Sequence, residues 1–71
     1  MNIVEKCSRE IERVTVLRAA YALTDRMAGR QALAGAVAFM TKAIESGHTA
    51  LGTGDPVTII AAIRELEGFR E

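Results

Sequence analysis

One thiol, one imidazole and a scatter of carboxylates are what this chain offers to chemistry. Cys7 is its only cysteine and His48 its only histidine. A cysteine nucleophile needs a nearby base to hold it as thiolate, and the helical periodicity described below puts His48 at the far end of a hairpin from Cys7. Cys7 falls on the apolar face of the first helix, where a buried, inert thiol is expected. Glu45-x-x-His48 has the spacing that di-iron carboxylate bundles place on an inward helix face. Gly47 interrupts it at the expected end of a helix, however, and Glu12 is the only carboxylate on the first helix placed to join it. Gly47 to Gly54 reads G-x-x-x-x-G-T-G, but it lacks the phosphate-binding lysine and follows a helix where a P-loop follows a strand. It is expected to be a connector. No Ser-His-Asp constellation is present, and no catalytic, cofactor or metal site is expected.

Arginine is the remaining polar resource. Arg9, Arg13, Arg18, Arg26 and Arg30 recur along the first helix, and a phosphate-contacting surface would draw on Arg13, Arg18, Arg26 and Arg30. Glu5, Glu10, Glu12 and Asp25 are interleaved with them, which favours a solvated face of mixed charge. The whole chain carries nine basic and nine acidic residues, which argues against a nucleic-acid-coating surface. Residues 1–30 hold a net charge of +2 and residues 31–71 a net of −2, too mild a dipole to name a partner. Gln31-Ala32-Leu33-Ala34-Gly35 is a faint echo of the opening of a helix-turn-helix. That motif wants a turn of three or four residues before a polar recognition helix, whereas here a longer connector and an apolar third helix are expected.

The elements that would position these groups are helical. Asn2, followed three residues later by Glu5, opens a helix with a capping-box pattern. Its apolar positions run Val4, Cys7, Ile11, Val14, Leu17 and Tyr21, and from Val14 onward a second stripe appears through Val16, Ala20, Leu23 and Met27. The widening suggests that the first turns are wet and the later ones covered. The helix is expected to span about 3–23 or 3–28, because Thr24-Asp25 offers a cap for a new helix and Gly29 offers a stop. A second helix then covers about 26–46 or 30–46, ending at Glu45-Ser46-Gly47. A single helix from Ile3 to Ser46 is a further option, since one glycine costs only ~1 kcal/mol. A Gly-rich connector over 47–55 leads to Asp55-Pro56, a strong start signal, and a third helix over about 56–67 with Ile59, Ile60, Ile63 and Leu66 as its stripe. No alternating strand pattern appears. The expected class is all-α: one domain, a helical hairpin plus a third helix.

Everything turns on Ala32 to Ile44, ALAGAVAFMTKAI. Helical spacing gives this stretch apolar residues on nearly every side, and such a helix has to be enclosed. A chain of 71 residues, rich in alanine and holding only Tyr21, Phe39 and Phe69 as aromatics, supplies a thin core. It has neither a disulfide nor a metal cluster to compensate. The bundle is therefore expected to be completed by oligomerisation, with Leu33, Val37, Met40, Ile44, Ile59, Ile60 and Ile63 at its core or interface. No apolar run reaches the roughly 18 residues of a membrane span. The N-terminus does not read as a signal peptide, and a lone thiol suits a reducing, cytoplasmic setting. The functional expectation is a non-catalytic helical protein–protein interaction module, a homo-oligomer acting as regulator, inhibitor, adaptor or accessory subunit. The alternative is a small DNA-binding regulator using the arginines of helix 1.

Overall fold

The computed structural model describes residues 2–29 and 33–69, which form three α-helices and, among those residues, no strand. α1 spans Ile3–Ala28, α2 Ala34–Thr53 and α3 Pro56–Glu67. α1 starts where its local sequence dictates: the Asn2 side chain accepts a hydrogen bond from the Glu5 N–H at 2.9 Å, satisfying one of the orphan donors of a helix start. It ends at Gly29, which adopts the left-handed conformation (φ 66°) and donates to the Arg26 and Asp25 carbonyls. That stop rules out the single helix from Ile3 to Ser46 and the earlier end near residue 23. Thr24 and Asp25 do not cap a new helix. The Thr24 hydroxyl donates back to the Ala20 carbonyl within α1, and Asp25 reaches across the turn to accept the Leu33 N–H with both carboxylate oxygens, each at 3.0 Å. α2 begins at Ala34, later than residue 26 or 30, with Leu33 at its N-cap and no side-chain cap bond.

The connector expected over 47–55 is instead mostly helix. α2 continues through Glu45-Ser46-Gly47 and closes at Gly54 (φ 70°), whose N–H donates to the Ala50 carbonyl. Only Gly54 and Asp55 separate α2 from α3. Tertiary contact overrides the glycine's helix penalty. Gly47 is buried, and a Cβ placed there would meet Ile11 Cγ1 at 2.9 Å and Cδ1 at 3.0 Å. Its bare backbone lets α1 lie close against α2, and Ala50 extends the same buried stripe one turn further. The Asp55-Pro56 start forms as a compact reversal. Asp55 accepts from the Val57 N–H and the Thr58 hydroxyl, and its own N–H donates to the Thr53 hydroxyl. Gly68 at the end of α3 is right-handed (φ −67°).

The three helices do not cover one another evenly. The buried core is Cys7, Ile11, Val14 and Leu17 from α1, Met40, Ala43, Ile44 and Ala50 from α2, and Ile59, Ala62, Ile63 and Leu66 from α3. The polar ties between α1 and α3 lie in the first half of α1: Lys6 with Glu67, and Arg13 with the Leu66 and Phe69 carbonyls. The molecule measures 41 × 19 × 16 Å, its long axis close to the ~39 Å that 26 residues of helix supply. One end is thus a three-helix body and the other a two-helix arm made by the C-terminal half of α1 and the first turns of α2. Beyond Leu17 and Met40 toward the arm, no large apolar side chain among the described residues is fully buried. The single chain leaves part of the apolar helix uncovered: Ala34, Gly35, Ala38 and Phe39 are exposed, while Leu33 and Val37 are half-buried.

The glycines of α2 give a paired test. Gly47→Ala should lower stability by about 1 kcal/mol, because overpacking against Ile11 costs ~1–3 kcal/mol and improved helix propensity returns only ~1. Gly52→Ala, whose Cβ would meet nothing within 4 Å, should gain about 0.5–1 kcal/mol. Urea unfolding of the two variants reads both signs, and equal shifts would contradict the close approach at Gly47.

Candidate functional site

Most of the groups that could do chemistry are spent on structure or stand apart. Cys7 is fully buried, its Sγ 4.0 Å from the Gly47 carbonyl oxygen, and burial pushes the thiol above its ordinary value. Such a thiol is a weak nucleophile. Glu45 and His48 both lie inside α2 rather than at its end, with both side chains exposed. No group of three or more His, Cys, Asp or Glu side chains among the described residues is placed to hold a metal ion. The G-x-x-x-x-G-T-G run cannot cradle a phosphate because its first glycine is buried in α2 and its loop is reduced to Gly54. A shallow open groove of about 450 Å³ lies between α2 and α3, lined by Lys42, Glu45, Ser46, Thr49, Ala50 and Thr58. Its walls mix one cation, one anion and three hydroxyls, a lining that selects no ligand.

The arginines divide. Arg13 clamps the end of α3: Nη1 donates to the Phe69 carbonyl at 2.7 Å, Nη2 to the Leu66 carbonyl at 3.0 Å, and Nε to Glu10 at 2.6 Å. Leu66 lies in the last turn of α3 and Phe69 just beyond it, and a cation is favoured at such a C-terminus. Arg18 donates to the Thr41 hydroxyl at 3.2 Å and ties α1 to α2. Arg9 and Arg26 are exposed, and Arg30 lies outside the described residues. The set expected to face a phosphate backbone is therefore not gathered on one surface.

The apolar residues divide as well. Met40, Ile44, Ile59 and Ile63 are buried within the single chain and offer nothing to a partner, while Ile60 is 40% exposed. Val4 on α1 and Val57 on α3 are exposed as well, and the longest exposed apolar row is the second stripe of α1. Val16, Leu23 and Met27 are 71%, 53% and 80% exposed, and Ala20 between them is exposed too. Their spacings of four, three and four keep them on one side of the helix, opposite the Cys7–Val14–Leu17 face that meets the core. Phe39, 68% exposed, lies on α2 of the same arm. Charged residues Glu5, Arg9 and Glu12 occupy the corresponding outer face of the first half of α1.

Comparison with protein families, with characterised proteins and with solved structures finds no match to this chain. The site has to be read from its own chemistry. An outward seam of Val, Ala, Leu and Met at alternating three- and four-residue spacing is the pattern by which one helix packs against another. From the sequence this stripe is expected to be covered, with no indication of what covers it. The signal that identifies it is the presence of two apolar stripes on opposite faces of α1, because a single hairpin partner can cover only one of them.

Two predictions separate the structural groups from the exposed ones. Arg13→Gln should cost about 1–2 kcal/mol through loss of the carbonyl clamp, whereas Arg9→Gln should stay within ~0.5 kcal/mol; equal effects in urea titrations would contradict the clamp. For Cys7, the folded chain holds its thiol proton more tightly than the unfolded chain does. Stability is therefore intact below the ordinary thiol value and declines as pH rises past about 9. The urea midpoint of the parent should fall more steeply across that range than that of Cys7→Ala.

Proposed function

We propose that this protein is a small, non-catalytic helical protein–protein interaction module that acts as a homo-oligomer, in the manner of a regulator, inhibitor, adaptor or accessory subunit. The observation that carries the reading is the exposed seam Val16–Ala20–Leu23–Met27 on the arm. Exposed single hydrophobes are ordinary, but a contiguous row of them on a helix, rimmed by charge, marks an association surface. Burying Leu23 and Met27 against a neighbour is worth of the order of 1–2 kcal/mol each, a large contribution for a domain of this size. The small residues of the arm, Ala20, Ala34, Gly35 and Ala38, let another helix come close. No helix among the described residues is long and apolar enough to cross a membrane. The DNA-contacting reading loses support, because Arg13 and Arg18 are engaged within the chain.

The experiment is a mass measurement with a matched variant. At about 100 µM the parent should sediment above single-chain mass, and Leu23→Glu with Met27→Glu should return it to single-chain mass, because charges on a seam oppose its burial. Both side chains are already largely in water, so the variant should keep the parent's helical circular dichroism. A parent of single-chain mass at every concentration would overturn the reading.

A further inference from the structure

We propose that the occupant of the α1 seam is α1 of a second copy, lying antiparallel about a two-fold axis at the level of residue 18, so that Glu12 of each copy pairs with Arg26 of the other. This rests on the self-association reading above and adds to it a partner surface, an orientation and a register. Glu12 and Arg26 are both exposed on α1. Glu12 and Arg26 take part in no ion pair or hydrogen bond among the described residues. They flank the same edge of the seam, one in the charged half of α1 and one in the apolar half.

Setting two copies of α1 head to tail with Val16 opposite Ala20 makes a symmetric series of layers. Leu23 then lies over the methylene stem of Arg13, and Met27 over that of Arg9. Arg13 can serve in this way because its guanidinium is already turned to the α3 carbonyls, leaving the stem as apolar cover. In this register Ala19 falls beside its own equivalent, where a small residue is needed, and Glu12 falls beside Arg26 at both ends. Flanking charges of this kind set orientation and register in paired helices. The competing arrangements lack that match. Parallel pairing sets Arg9 against Arg9 and Arg13 against Arg13. An antiparallel register shifted by one heptad sets Val16 on Met27 and Ala20 on Leu23, but it leaves Arg26 beside Ala19 and shortens the overlap from about 20 residues to about 14. A face that meets opposite charge only when folded onto itself by a two-fold axis points to a second copy as its partner.

An overlap of about 20 residues gives a strip ~30 Å long and one helix wide, ~10 Å, well short of the ~800 Å² per partner of a standard stable interface. The dimer is therefore concentration-dependent and of weak affinity.

The test is a charge-swap series followed by sedimentation equilibrium up to about 500 µM, a range that suits a weak dimer, with circular dichroism confirming the fold of each variant. Glu12→Arg and Arg26→Glu, each exposed and so harmless to the monomer, should each weaken dimerisation about tenfold or more by setting like charges together. The double variant Glu12→Arg/Arg26→Glu should return to within about threefold of the parent. A parent that dimerises with the same Kd in all three variants would overturn the pairing and leave self-association standing. Weakening by the single variants without recovery in the double would also overturn it. A parent that stays at single-chain mass throughout the range would overturn both this pairing and the reading on which it rests.

Discussion

α3 contributes twelve residues of cover to a hairpin whose first helix runs for twenty-six, and the difference between the two ends of the molecule follows from that mismatch. Where all three helices overlap, Cys7, Ile11, Ile59, Ile63 and Leu66 find neighbours on every side and leave water. Where α3 has ended, α1 and α2 can cover only the faces they turn to each other. A helix has a circumference, and one partner hides roughly a third of it. The apolar residues on the remaining arc of α1 are therefore exposed by architecture and not by any local defect in packing.

The three-helix end owes its tightness to a position that carries no side chain. Gly47 allows Ile11 to approach the α2 backbone within van der Waals contact, and the Cys7 thiol sits over the same carbonyl. The glycine costs the helix about 1 kcal/mol of propensity, but it seats two core residues of α1 against α2. The arm has no comparable close approach. It is held by polar ties, Arg18 to Thr41 and Asp25 to the Leu33 N–H, whose net contributions are modest individually. The cooperative core is thus concentrated at one end, and a helix pair joined by few buried contacts extends from it.

How much of this was legible in the sequence depended on whether a residue's role was settled locally. Asn2 and the Asp55-Pro56 pair declare helix starts through groups two or three residues away, and those starts form. Gly47 and Gly54 are alike in composition and close in the chain, yet one is buried mid-helix and the other is a left-handed stop. What separates them is Ile11, a residue on another helix, which no window around either glycine contains. Thr24 and Asp25 misled for the same reason: both are good cap residues, but the hydroxyl turned back into its own helix and the carboxylate accepts the Leu33 N–H ahead of α2. The arginines of α1 have a helical spacing that says nothing of reach, and Arg13 proved long enough to close α3 from a neighbouring helix.

The seam on α1 was legible as a pattern but not as a surface. Period alone places Val16, Ala20, Leu23 and Met27 together; only the length of α3 decides whether that face is inside or outside. The two helices of the arm carry their apolar excess differently. α2 reduces it with Ala34, Gly35 and Ala38, which expose little area even when uncovered, and leaves a single large group in Phe39. α1 places branched and long side chains on its outer face just where charged residues give way. A solvent-facing helix has no use for that exchange, because polar residues there would cost nothing and would favour solubility. A helix whose outer face packs on protein has a use for it: the branched and long side chains supply apolar contact, and the charges beside them can fix how a partner helix lies.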